Sequence, residues 1–75
     1  DAAAAALQAP LPGRVVRVAV AAGDVVRERQ PLVIVEAMKI ETAVTAPRDG
    51  IVAAVYCAVG DAVGGGQVLV ELAPP

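Results

Sequence analysis

Lys39 is the only lysine in 75 residues and so the only side-chain amine in the chain that can be acylated. It lies in Glu36-Ala37-Met38-Lys39-Ile40-Glu41, with a carboxylate on either side. Surface lysines are almost wholly protonated at neutral pH, and lysines that catalyse are activated by burial or by a neighbouring cation. The neighbouring charges here are anionic, so Schiff-base catalysis by the domain itself is not expected. A visiting enzyme could still deprotonate the amine in its own site and acylate it. The other nucleophile, Cys57, has no histidine anywhere in the chain to pair with. That excludes a Cys/His dyad or zinc site, and one thiol cannot close an internal disulfide. Cys57 reads as a small buried hydrophobe in a reducing compartment.

The elements that must position Lys39 are strands. Residues 33–37 and 40–44 are rich in β-branched residues and leave only Met38 and Lys39 between them, which predicts a two-residue hairpin. Such hairpins use type I′ or II′ turns with φ > 0 at one or both central positions, where Asn-Gly is comfortable and Met-Lys is not. The tip should therefore store about 1–3 kcal/mol of strain, a conflict typical of functional sites. In the same register Glu36 faces Glu41, a mildly destabilising pair. The two glutamates are either splayed, solvated charges or charges read by another protein.

The hairpin lies between two copies of one pattern. Shifting the chain by 37 residues pairs Ala9 with Ala46, Pro10 with Pro47, Gly13 with Gly50, Val15 with Val52 and Val18 with Val55. The register continues through Gly23/Gly60, Asp24/Asp61, Val26/Val63, Gln30/Gln67, Leu32/Leu69 and Val33/Val70 without a gap. Two copies are too few for a solenoid and imply two half-domains about a quasi-twofold axis. Strands are predicted over residues 14–20, 25–26, 31–37, 40–45, 51–57, 62–63 and 67–72, and no apolar period of 3.6 is sustained. The fold is expected to be all-β. Gly23 and Gly60, each before Asp, read as turn residues rather than a phosphate loop. The same shift carries Lys39 to positions 2 and 76, so the lysine should lie opposite the chain ends.

The folded domain is placed at residues 10–73. Residues 1–9, with five consecutive alanines, read as the end of a flexible Ala/Pro linker, and residues 74–75 as a tail. The lack of a basic start or cleavage context argues against a signal peptide and for a fragment of a longer polypeptide. A net charge of −2, five scattered arginines and one aromatic residue, Tyr56, argue against nucleic acid as a partner. No apolar run approaches the ~18–20 residues that span a bilayer, so no membrane partner is expected.

Glu36-Ala37-Met38-Lys39, together with Gly13, Gly23-Asp24, Ala46-Pro47, Asp49-Gly50, Gly60-Asp61 and Gly66-Gln67-Val68-Leu69, resembles the biotinyl domain of biotin-dependent carboxylases. The resemblance covers roughly residues 9–72. It implies a flattened barrel or sandwich of two four-stranded antiparallel sheets, with biotin joined to Lys39 through an amide by biotin protein ligase. It further implies a carrier rather than an enzyme in its own right. Its biotin takes a carboxyl group in a biotin carboxylase site, which uses MgATP and bicarbonate not bound here, and delivers it in a carboxyltransferase site to an acyl-CoA or a 2-oxo acid. Ala37 and Met38 would serve recognition by ligase and partners, as would the adjoining Ile40, and Glu36 and Glu41 charge complementarity. A faint likeness around Tyr56-Cys57 and Val70-Glu71-Leu72 points to the acyl-CoA carboxylase type. The expected compartment is the cytoplasm of a bacterium, or the mitochondrial matrix of a eukaryote.

Two positions depart from the family pattern. Ile40 stands where Met is common, a swap of similar size that should preserve biotinylation. Arg29 stands where Gly usually precedes Gln, which questions the local turn. No long insertion interrupts the first half, so a projecting thumb is not expected. A lipoyl carrier domain of a 2-oxo acid dehydrogenase-type complex shares fold and hairpin lysine, but usually has an acidic residue where Met38 stands. An unmodified interaction module of the same fold is the third reading.

Overall fold

The structure, a computed structural model, describes residues 5–74. They form eight strands: β1 Ala5–Gln8, β2 Gly13–Val18, β3 Val25–Val26, β4 Pro31–Ala37, β5 Ile40–Thr45, β6 Gly50–Val55, β7 Ala62–Val63 and β8 Val68–Leu72. Two four-stranded sheets result, ordered β1-β8-β6-β3 and β5-β4-β2-β7. Every strand pair is antiparallel. Among the described residues no helix is long and apolar enough to cross a membrane.

The 37-residue shift turns one sheet order into the other, since β2 maps onto β6, β3 onto β7, β4 onto β8 and β5 onto the stretch that holds β1. That last relation corrects the expected linker. β1 lies within residues 1–9 and pairs with β8 from Ala5↔Leu72 to Gln8↔Val68, and Ala9 is buried. The folded body therefore begins by residue 5, not residue 10. Alanine is depleted in strands, so local composition hides a strand that long-range pairing imposes. Residues 1–4 of the expected linker, and Pro75 of the expected tail, lie outside the described residues.

The core repeats the symmetry. Val15 and Val52, Val26 and Val63, Leu32 and Leu69, Val33 and Val70, and Val35 and Leu72 are all buried, with Ala9 and Ala46 beside them. Cys57, mate of the buried Val20, is half-buried against this cluster. Burial pushes its thiol above the usual range, with the charge of Asp61 adding to the effect.

Equivalent polar residues do equivalent work in the turns. Asp24 and Asp61 each accept a backbone N–H through Oδ2, from Ala21 and Ala58, both at 2.9 Å. Gln30 and Gln67 accept from Arg27 and Gly64. Gly23 and Gly60 sit at φ 95° and 97°, as their turns require. Arg29 occupies the position of Gly66, and both are left-handed, at φ 69° and 84°. The Arg29 N–H bonds the Ala46 carbonyl just as the Gly66 N–H bonds that of Ala9. The turn thus survives the departure, with strain stored in it. A left-handed non-glycine costs about 1–2 kcal/mol, partly offset by the entropy glycine would add to the unfolded chain. Arg29→Gly should raise stability by up to about 1 kcal/mol in urea unfolding.

Tyr56 donates its O–H to Glu71 Oε1 at 2.8 Å on the outer face of the first sheet. The hydrogen bond to the carboxylate, then its charge, hold the phenol above its ordinary value near 10. A raised folded value means that stability from this bond is complete below the unfolded phenol's value and is lost as pH rises through the folded one. As Tyr56 is the only tyrosine, ultraviolet titration reads it directly. Glu71→Gln should bring its midpoint down toward 10.

Candidate functional site

The site is the β4–β5 hairpin. Its ladder runs from Val33↔Val44 to Glu36↔Glu41 and Ala37↔Ile40, leaving Met38 and Lys39 as the two turn residues. Both have positive φ, 52° and 67°, which makes a type I′ turn. The expected conflict at the tip is therefore present at both residues. The tip also exposes apolar surface, with Met38 93% and Ile40 67% accessible. Nothing in the packing hides Lys39, which is exposed like its neighbours.

Glu36 and Glu41 face each other as expected, both exposed. The sequence alone does not show what lies on the other side of Glu36. In the β2–β4 ladder Arg14 is its partner, so Arg14, Glu36 and Glu41 form a row across three strands. Residues opposite one another in a ladder share a face, so a cation stands in line with the two glutamates. Gly13 is the second residue missed. A Cβ there would lie 2.5 Å from the Glu36 carbonyl oxygen and 2.9 Å from Val35 Cγ1. Glycine lets β2 press against the strand that ends in the lysine tip. Its recurrence as Gly13/Gly50 was legible, but its contact with Glu36 depends on a register shift between Val15 and Arg17, which no local pattern reveals.

The chain leaves the body at the far end. Ala46 N–H bonds the Gln30 carbonyl at the foot of the hairpin. Two residues further on, Arg48 Nη2 donates to the carbonyl of Ala73 at 2.9 Å. The hairpin strand between foot and tip, β4, has seven residues, roughly 20 Å of extended chain, in a body 35 Å long and 18–19 Å across. The tip carries an exposed amine away from the exit. Such an arrangement suits attachment and presentation, not catalysis.

A duplicated sandwich that lifts a lysine on a hairpin tip defines a class of domains that carry a prosthetic group. Comparison with known proteins narrows the class. The family described as Biotin-requiring enzyme matches residues 5–72, and the chain belongs to it. The human mitochondrial propionyl-CoA carboxylase alpha chain is 48% identical over 66 residues, covering 88% of this chain and 9% of that one. The biotin carboxyl carrier protein of Streptococcus mutans is 42% identical over 71 residues, covering 95% of this chain and 55% of its own length. The crystal structure of Kluyveromyces lactis urea carboxylase aligns with TM-score 0.87 at 31% identity, over 93% of this chain and 6% of that one. The chain spans only about a tenth or less of the carboxylase chains it matches, and corresponds to their biotin carboxyl carrier region. It is a non-catalytic carrier domain.

Proposed function

We propose that Lys39 is the residue that receives biotin, and that the domain moves a carboxyl group between a biotin carboxylase site and a carboxyltransferase site of a longer enzyme. The observation that carries this reading is the only lysine of the chain standing, with Met38, on a left-handed tip within Ala-Met-Lys. The site fits the group: the amine is exposed at a two-residue turn, and Met38 and Ile40 offer apolar surface to a biotin protein ligase. Biotin, when bound, supplies a ureido nitrogen that can carry the carboxyl group. The chain's own residues hold and aim it. Ala37 stands beside Gly13 and fixes the base of the tip. Met38 and Ile40 present side chains for ligase and partners, and Glu36 and Glu41 meet cationic surfaces. MgATP and bicarbonate belong to the partner carboxylase.

Tethering to a longer chain raises the carrier's concentration at both sites. The similarity to a propionyl-CoA carboxylase chain favours an acyl-CoA as acceptor; a Staphylococcus aureus pyruvate carboxylase, 44% identical over 64 residues, keeps a 2-oxo acid as the second choice. The compartment follows the host, bacterial cytoplasm or mitochondrial matrix. Incubation of the protein with biotin, ATP and biotin protein ligase tests the assignment. One biotinyl mass increment is expected in wild type and none in Lys39→Arg. An increment that persists in the variant, or is absent from wild type, rejects it. Lipoate ligase with lipoate should leave the protein unchanged, because Met38 stands where lipoyl domains usually have an acid.

A further inference from the structure

The outer face of the sheet that bears the lysine hairpin holds a groove of about 370 Å³ lined by Arg17, Ala19, Pro31, Leu32 and Ile34. Arg17 stands opposite Ile34, and Ile34 opposite Ala43. The guanidinium is therefore bordered across the sheet by apolar residues, and the groove lining contains no acid. The quasi-twofold supplies an internal comparison. The related groove, of the same size, is lined by Ala6, Tyr56, Val68 and Glu71, and there the polar groups satisfy each other through the Tyr56–Glu71 bond. Tyr56 maps onto Ala19 and Glu71 onto Ile34, so the first groove has neither the phenol nor the carboxylate. In their place is Arg17, whose mate is Ala54. The same fold closes the polar chemistry of one groove upon itself and, in the other, sets the Arg17 guanidinium beside apolar surface with no acid in the lining.

We propose that the Arg17 groove docks an extended segment of the parent carboxylase that brings one carboxylate and an adjoining apolar side chain. A guanidinium pairs carboxylates bidentately, and Ile34 with Pro31 and Ala19 offers the apolar surface beside it. The partner segment is acidic because Arg17 is the one charged residue in the groove lining. Docking here has a direct mechanical consequence. β4 runs from Pro31 in the groove to Ala37 beside the tip, and Ile34 is only three residues, roughly 10 Å, from Ala37. A hold on the groove therefore fixes the direction in which Lys39 points. This inference rests on the carrier reading and adds a positioning residue, Arg17, to it.

The test uses the full-length carboxylase carrying this domain, with biotin occupancy measured by mass alongside ATP-dependent carboxylation of propionyl-CoA. Arg17→Glu should lower kcat about tenfold at full biotin occupancy. Arg17→Lys, which keeps the charge, should retain at least about half of the rate. Ala19→Glu, at an exposed position, should reproduce the loss, whereas Tyr56→Ala in the related groove should not. Raised salt should slow wild type more than Arg17→Glu. A fully biotinylated Arg17→Glu enzyme with wild-type rate overturns the docking groove and leaves the carrier role standing. An equal loss in Tyr56→Ala overturns it too. A wild-type enzyme without biotin contradicts the carrier reading instead.

Discussion

Replacing Lys39 by arginine in the full-length enzyme is expected to abolish carboxyl transfer, while the domain stays folded and the partner sites keep their chemistry. The substitution isolates the amine. Arginine preserves the positive charge and most of the length, and Arg29 shows that arginine adopts a left-handed conformation in this same fold, at φ 69° against 67° for Lys39. A guanidinium remains protonated at any accessible pH, so no ligase can generate the nucleophile that amide formation requires. No other lysine can substitute. Biotin occupancy and overall transfer should both fall to background, and thermal unfolding should move by less than about 0.5 kcal/mol, as for an ordinary surface change. On the proposed carrier reading, cleavage of ATP by the parent carboxylase with added free biotin should continue. An interaction module without a modified lysine would instead keep full activity.

Gly13→Ala is expected to cost about 2–3 kcal/mol, the largest stability effect among conservative changes near the site. The new methyl would lie 2.5 Å from the Glu36 carbonyl oxygen, 2.9 Å from Val35 Cγ1 and 3.2 Å from Ala37 Cβ. Two of these neighbours sit in the backbone or core of β4 and cannot swing aside, so β2 and β4 must separate, at the upper end of overpacking costs. For a domain of this size the loss lowers the melting temperature by roughly 10–20 °C. The quasi-twofold again supplies the control. At Gly50 the nearest atom is Arg48 Nη1, at 2.8 Å, with Leu72 Cδ1 4.0 Å away. A flexible guanidinium can move, although Arg48 must then release the Ala73 carbonyl, so Gly50→Ala should cost about 1 kcal/mol or less. Gly13→Ala should also slow biotinylation, because the displaced strand is the one leading to the tip. Calorimetry of the two variants side by side, with ligase kinetics, checks both parts.

The symmetry that organises these contrasts was visible in the sequence, as were seven of the eight strands and the left-handed hairpin tip. Each rests on a local signal: β-branched alternation, paired glycines, and two uncomfortable residues between two strands. β1 escaped because its alanines say nothing about pairing, although the repeat demanded it. If residues 40–45 form a strand, so must residues shifted back by 37. Arg14 and Gly13 escaped for a different reason. Their place beside Glu36 belongs to a ladder with a register shift between Val15 and Arg17, which no local pattern marks. The lysine itself was legible because it is alone. What surrounds it on the sheet face was not, because neighbours across strands are distant in sequence.

The carrier account stands or falls on the species attached to Lys39 in the full-length protein isolated from the cells that make it. Trypsin does not cleave after an acylated lysine, so a biotinylated chain should yield residues 30–48 as one peptide, heavier by one biotinyl group, with fragmentation placing the group on Lys39. Recovery of residues 30–39 and 40–48 as separate unmodified peptides at full yield, or of a lipoyl increment on Lys39, would contradict it.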